Sequence, residues 1–132
     1  MIAETFKNGE YKSLAVQWWQ EHHPGVVIPE LLLSDYGVLV RLDDNEPVAM
    51  THLYCAKDAK MAWLGFTVTD RHSRHHKKQV LDFLHECAEN ELKGQGYRIA
   101  YTAYDRHSLQ KLVADRGYIR ASDVVEYWKE LT

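Results

Sequence analysis

The stretch from Met61 to Tyr104 changes its hydrophobic period twice, and nothing else in the chain restricts the fold as much. Met61 to Thr69 (MAWLGFTVT) reads as a strand. From Arg74 to Leu92 the apolar residues Val80, Leu81, Leu84, Cys87, Ala88 and Leu92 recur at helical spacing, on one face of a long amphipathic helix. Gly94 and Gly96 close that helix, and Tyr97 to Tyr104 (YRIAYTAY) returns to strand character. Two strands joined through a helix cannot be hairpin neighbours. The crossover makes them parallel, in one sheet, with a right-handed connection.

The rest of the chain is read around that unit. Ile2 to Phe6 forms a short first strand, and Asn8-Gly9 turns it. Glu10 to His22 is a helix with Tyr11, Leu14 and Trp18 on one face, stopped by His23-Pro24-Gly25. Trp18 and Trp19 point about 100° apart on a helix, so one packs and the other lies near the surface. Pro29 begins a short turn through Leu32. Gly37 to Leu42 and Val48 to Ala56 are strands joined by the polar turn Asp43 to Glu46, and Lys57 to Lys60 turns into the strand at Met61. Ser108 to Asp115 is a short helix with Leu109, Leu112 and Val113 inward, and Gly117 caps it. Tyr118 and Val124 to Leu131 supply final strand material. Trp63 and Trp128 read as core or sheet-face residues, and Cys55 and Cys87 fit packing positions. The class is α+β: one mixed, mostly antiparallel sheet with helices on both faces, in a single domain over residues 1–132.

Composition excludes several alternatives. The 132 residues carry a net charge of −3, with 45% hydrophobic and 27% charged residues, an ordinary globular balance. No apolar run approaches the roughly 20 residues of a membrane span. The N-terminus lacks the basic start and apolar stretch of a secretion signal. The two cysteines are far apart, so no disulfide framework or metal knuckle is read, and a cytoplasmic setting is expected.

The net charge conceals a local excess. Arg71, Arg74, Lys77 and Lys78 stand together with His72, His75 and His76, and without them the chain carries −7. A helix N-terminus already bears about +0.5 charge, so cations crowded there cost about 0.3–1 kcal/mol each unless an anion is bound. An anion site is one reading and a solvated basic loop the other. Asp70 or Ser73 can cap the helix in either case. The spacing of the three histidines does not make a defensible metal set, so no metal is expected.

The order of elements, with AWLGFTV, VLDFLHECAENELKGQGYRIAY and DRHSLQKLVADRGYIR, resembles the GNAT family, the GCN5-related N-acetyltransferases. The resemblance implies a fourth strand splayed from a parallel fifth, with acyl-CoA entering the gap. It implies that Phe66, Thr67 and Val68 pair with the pantetheine arm. It places the pyrophosphate at Ser73, Arg74, His75, His76, Lys77 and Lys78, with Arg106 nearby. The family's loop is written Q/R-x-x-G-x-G/A, and Ser73, His76 and Lys78 stand on three of its positions without glycine, glutamine or arginine. The family's usual acidic tyrosine falls on Val113, which leaves Tyr104 and His107 as the candidate proton donors; the other reading of this stretch is that Asp105 caps the following helix and the rest is a solvated turn.

His52 shares a strand face with Met50 and Tyr54 and is either a general base or a hydrogen-bonded, half-buried histidine. Acetyl-CoA is the implied cosubstrate. The implied function is acyl transfer to an amine on a small molecule or a protein, with the Val26–Asp35 segment choosing the acceptor. Neither a membrane nor nucleic acid is an expected partner, and a homodimer is among the assemblies expected. The departures at the loop and at Val113 also fit a GNAT-like chain that no longer catalyses and serves as a binding or structural module. Compact chains of that kind resemble those encoded by bacteriophages.

Overall fold

The computed structural model describes residues 1–73 and 76–131. Five strands form one sheet in the order of the chain: β1 Ile2–Phe6, β2 Gly37–Arg41, β3 Pro47–Cys55, β4 Met61–Thr69 and β5 Ile99–Thr102. The first three pairings are antiparallel, and β4 and β5 run parallel across the helical crossover. Helix α1 spans Lys12–His22, α2 spans Lys77–Gly94 and α3 spans His107–Asp115. A single 3-10 turn covers Glu30–Leu32.

The apolar stripe on α2 covers one sheet face. Val80, Leu81, Leu84, Ala88 and Leu92 are buried there against Val38, Val40, Leu53, Ala62 and Leu64. Each fully buried side chain of this kind contributes about 1.5–3 kcal/mol. Helix α1 covers the opposite face, where Trp18 and Ala15 meet Phe6, Leu39, Met50 and Val68. Helices on both faces explain why Val38, Leu39 and Val40 form an unbroken apolar run rather than an alternating one.

Three expectations are corrected. The tail after Tyr118 contains no strand among its described residues and is exposed throughout, so Trp128 is neither core nor sheet face. Its apolar residues Val124, Val125, Tyr127, Trp128 and Leu131 are all exposed. Cys55, the last residue of β3, is exposed, whereas Cys87 is half-buried and packs on the α2 cluster. Helix α3 is not capped by Asp105: its N-cap residue is Arg106, without a side-chain bond. No described helix is long and apolar enough to cross a membrane.

Gly37 is the tightest backbone approach in the sheet. A Cβ there would lie 2.3 Å from the Phe6 ring and 2.4 Å from the Thr51 carbonyl oxygen. The carbonyl belongs to the neighbouring strand and cannot swing aside. Gly37→Ala is expected to cost about 1–3 kcal/mol or more in urea unfolding, as overpacked cores do. A variant as stable as the parent would refute this packing.

Candidate functional site

The site begins with a change of parity in β4. Ala62 and Leu64 pack beneath α2, yet Val68 packs beneath α1. Residues an even number apart should share a face, so one extra residue has been inserted between them. The register agrees: His52 lies opposite Gly65 and Met50 opposite Val68, two steps on β3 against three on β4. Phe66 is the inserted residue and has a left-handed backbone, φ 50°. That conformation costs a residue with a Cβ about 1–2 kcal/mol. It is held by an aromatic cluster: the Phe66 ring lies 5.4 Å from Trp19, 5.8 Å from Trp63 and 6.3 Å from Tyr54. Gly65 makes room, because the Trp63 ring occupies the space a Cβ would need.

The bulge coincides with the end of strand pairing. The β4–β5 ladder stops at Leu64–Thr102, while β4 continues to Thr69. Beyond that point the strands are joined by side chains. The Thr102 hydroxyl donates to the Leu64 carbonyl at 2.8 Å, and the Tyr104 and Thr67 hydroxyls meet at 3.1 Å. This is the splayed pair that the family resemblance implied.

Tyr104 is part of a directed hydrogen-bond chain. His85 Nδ1 lies 2.6 Å from the Leu81 carbonyl oxygen, which can only accept, so Nδ1 carries the proton. Burial lowers the His85 pKa, which keeps the ring neutral and makes Nε2 an acceptor. The Tyr104 hydroxyl, 2.7 Å away, therefore donates to Nε2. Thr67 then donates to Tyr104, and Thr51 to Thr67 across 2.8 Å. Burial raises the Tyr104 pKa, so the phenol keeps its proton at neutral pH.

His52 is fully buried beside Phe6, on the other face of the sheet. Its Nδ1 donates to the Phe66 carbonyl at 3.3 Å, and its Nε2 is a buried lone pair without a hydrogen-bond partner among the described residues. Burial pushes its pKa down to about 4. It is thus neutral at working pH, bound to the bulge, and a weak base.

Basic groups gather where β4 ends. His22, at the end of α1, reaches the Thr69 carbonyl at 3.0 Å, and burial together with the charges of Lys77 and Arg106 lowers its pKa. Arg71 donates to the Glu21 carbonyl at 3.3 Å. Ser73 and Lys77 border a dent of about 10 Å³ with Val48, Thr69, Asp70 and Val80. The N-cap of α2 is His76, which makes no side-chain cap bond. Lys78 faces away from this cluster, into a groove of about 320 Å³ between α2 and α3 that Asp82, Leu112, Asp115 and Arg116 also line. Arg74 and His75 lie outside the described residues.

The fold thus gathers Phe66, Thr67, Tyr104, His52, Ser73, Lys77 and Arg106 around one end of β4. Sequence reading missed His22 and His85. His85 carried a usable signal: it occupies an inward position of α2 between Leu81 and Ala88, where a polar residue must find a partner. His22 carried none, because it approaches β4 only in three dimensions.

His52 and His85 make stability depend on pH. Both have folded pKa values below the ordinary 6.5, so the unfolded chain binds more protons as pH falls through that value. Stability is full above about pH 6.5 and is lost from there down to about 4, where folded His52 protonates. At about 1.36 kcal/mol per pKa unit, His52 alone accounts for about 3 kcal/mol of this loss. Urea unfolding near pH 7.5 and near pH 5 should show a smaller loss for His52→Gln than for the parent. Equal losses would remove His52 from the account.

No family model and no curated protein matches the sequence. Solved structures do. One described as a probable acetyltransferase superposes with a TM-score of 0.73 at 14% identity, over 100% of this chain and 99% of its own. An aminoglycoside acetyltransferase from an uncultured soil metagenomic sample, in complex with sisomicin, gives 0.70 at 12% identity, over 99% and 96%. A GCN5-related N-acetyltransferase from Ralstonia eutropha JMP134 gives 0.67 at 12%, over 96% and 97%. With its parallel β4–β5 pair and its helices on both faces, the chain has the GNAT acetyltransferase fold.

Proposed function

We propose that the protein is an acyl-CoA-dependent N-acyltransferase that moves an acetyl group from acetyl-CoA to an amine. The observation that carries this reading is the opening of β4 from β5 at the Phe66 bulge, with Tyr104 at its mouth and basic groups at its end. The residues present fit the cosubstrate. β4 offers backbone at Phe66, Thr67 and Val68 beyond the last rung of the ladder, as an extended pantetheine arm would need. The first turn of α2, whose N-cap His76 makes no side-chain bond, offers N–H groups to a pyrophosphate, and Lys77 and Arg106 offer charge. Charge from lysine and arginine takes the part that glycines play in the family's loop.

The acceptor amine attacks the thioester carbonyl carbon, the C–S bond breaks, and the Tyr104 hydroxyl turns its one proton from His85 Nε2 to the CoA thiolate. The ammonium formed on the acceptor nitrogen returns a proton to the phenolate through Thr67 or water. His85 positions the phenol, and burial, which disfavours phenolate, keeps Tyr104 protonated until it donates. In this reading His52 holds the Phe66 carbonyl, and with it the bulge, while proton transfer runs through Tyr104. The acceptor is a small amine approaching from the α1 side, past Trp19, Tyr54 and Trp63 and the Val26–Asp35 segment. Among the fold's neighbours, the soil aminoglycoside acetyltransferase in complex with sisomicin supports an acceptor of that kind.

A second reading has its own observation. The Thr67–Tyr104 hydrogen bond bridges the opening, as in a GNAT-fold module that binds a partner without catalysis. Calorimetric titration with acetyl-CoA and with CoA separates the two. The enzyme reading expects heat and a thermal upshift, weakened at least tenfold by Lys77→Ala with Arg106→Ala. No heat and no shift at about millimolar ligand, about −4 kcal/mol of binding, would sink it. Once an amine panel has identified a turned-over acceptor, Tyr104→Phe is expected to lower kcat on the order of 10²-fold with little change in acetyl-CoA affinity. An unchanged kcat would take Tyr104 out of the mechanism.

A further inference from the structure

The α1 side of the opening has a chemical character that narrows the acceptor. Five rings stand together there. Trp19 lies 4.2 Å from His23 with the planes nearly parallel, and Tyr54 lies 4.9 Å from Trp63. The Phe66 ring joins the two pairs through Trp19 and Trp63. All five are half-buried, so part of each ring meets solvent. The chain that leads from Trp19 to Tyr54 is tied at both ends. His23 Nδ1 donates to the Trp19 carbonyl at 3.2 Å. The Tyr54 hydroxyl donates to the Leu32 carbonyl at 2.7 Å and accepts the Ser34 N–H at 3.2 Å. Between these ties Val26, Val27 and Leu31 are 50%, 60% and 83% exposed.

The polar groups of this wall are out of reach or already engaged. The indole N–H groups of Trp19 and Trp63 are buried and make no hydrogen bond among the described residues, and the Tyr54 hydroxyl is bonded twice. Both acids of the Val26–Asp35 segment turn to α1: the Ser13 hydroxyl donates to Glu30 at 3.0 Å, and Lys12 pairs with Asp35 at 2.6 Å. The end of β4 adds positive charge at Lys77 and Arg106. An acceptor rich in hydroxyl or ammonium groups would leave them unpaired against the rings and would be repelled at that end. A ring with one amine meets neither cost. Ring edges and faces pair with it, and a single ammonium is attracted to aromatic faces before it loses its proton.

We propose that the acceptor is an aryl-bearing monoamine, whose ring lies against Trp19, Tyr54 and Trp63 under the rim of Val27 and Leu31. The inference rests on the acceptor side assigned in the acyl-transfer reading. Phe66 belongs both to this wall and to the part of β4 beyond the last rung, so a short alkyl chain brings the amine from the wall to the opening.

Saturation-transfer NMR on the full chain tests this with 2-phenylethylamine, spermidine and sisomicin, each with and without CoA. Phenylethylamine should bind at about millimolar concentration or tighter, with its ring protons saturated most. It should bind at least tenfold more tightly than spermidine and sisomicin. Trp63→Leu removes the ring shared by Tyr54 and Phe66 and should weaken phenylethylamine at least tenfold. Val27→Asn with Leu31→Asn alters only exposed residues and should weaken it several-fold; if Trp63→Leu fails to fold, this pair decides alone. Spermidine or sisomicin binding as tightly as phenylethylamine overturns the proposal. So does phenylethylamine that binds in neither state, or whose binding survives the rim variant. The amine is measured without turnover, so the two readings fail separately. A protein that takes the amine but no CoA loses the acyl-transfer reading and keeps this site, whereas one that takes CoA but fails the amine test loses this inference alone.

Discussion

One inserted residue in β4 decides the geometry of the whole site. Without it, Val68 would lie on the same face as Leu64 and the α1 core would lose a wall. With it, the β4–β5 ladder ends at Leu64, Thr67 turns toward α2 and Phe66 turns toward α1. The left-handed backbone of Phe66 is a local cost that the surrounding packing must over-determine. Three aromatic rings and the His52 bond to its carbonyl supply that constraint. Strand pairing is thereby exchanged for an opening at the point where the polar residues converge.

The two sides of the opening differ in character. On the α2 side a neutral histidine orders three hydroxyl groups into one directed chain. On the α1 side the surroundings are aromatic, and the buried Trp19 and Trp63 indole N–H groups make no hydrogen bond within the described residues. The end of β4 is basic, while the chain as a whole is acidic. A site with a polar wall, an aromatic wall and a cationic end suits a ligand that is itself divided into parts. The mixed-charge groove at Lys78 is separate from this division, because Asp82 and Asp115 offset Lys78 and Arg116 there.

Much of the fold was legible in local pattern. β1 agrees with its sequence reading to the residue, and β4 does as well, because both carry strand residues between clear turn signals. The inward face of α2 followed from apolar spacing. Three features were not legible. The bulge leaves no mark in MAWLGFTVT, since parity is defined only against a partner strand. The final strand was over-read, because VVEYWKEL has strand chemistry whether or not an edge within the same chain receives it. Cys55 was assigned to packing on hydrophobicity alone, though it ends β3 exposed. At the site, Thr67 and Tyr104 were named from the resemblance. Their linkage through His85 was not, because three elements distant in sequence must meet to form it.

The sequence by itself determined the class of fold, the parallel crossover and the place where positive charge collects. These rest on periodicity, handedness and charge counts, which are properties of neighbouring residues. Tertiary structure alone decided which face each residue of β4 takes after Phe66, which histidines are neutral and what Tyr104 donates to. Those are settled by partners brought from elsewhere in the chain, and by burial, which shifts a pKa only once the partners have excluded water.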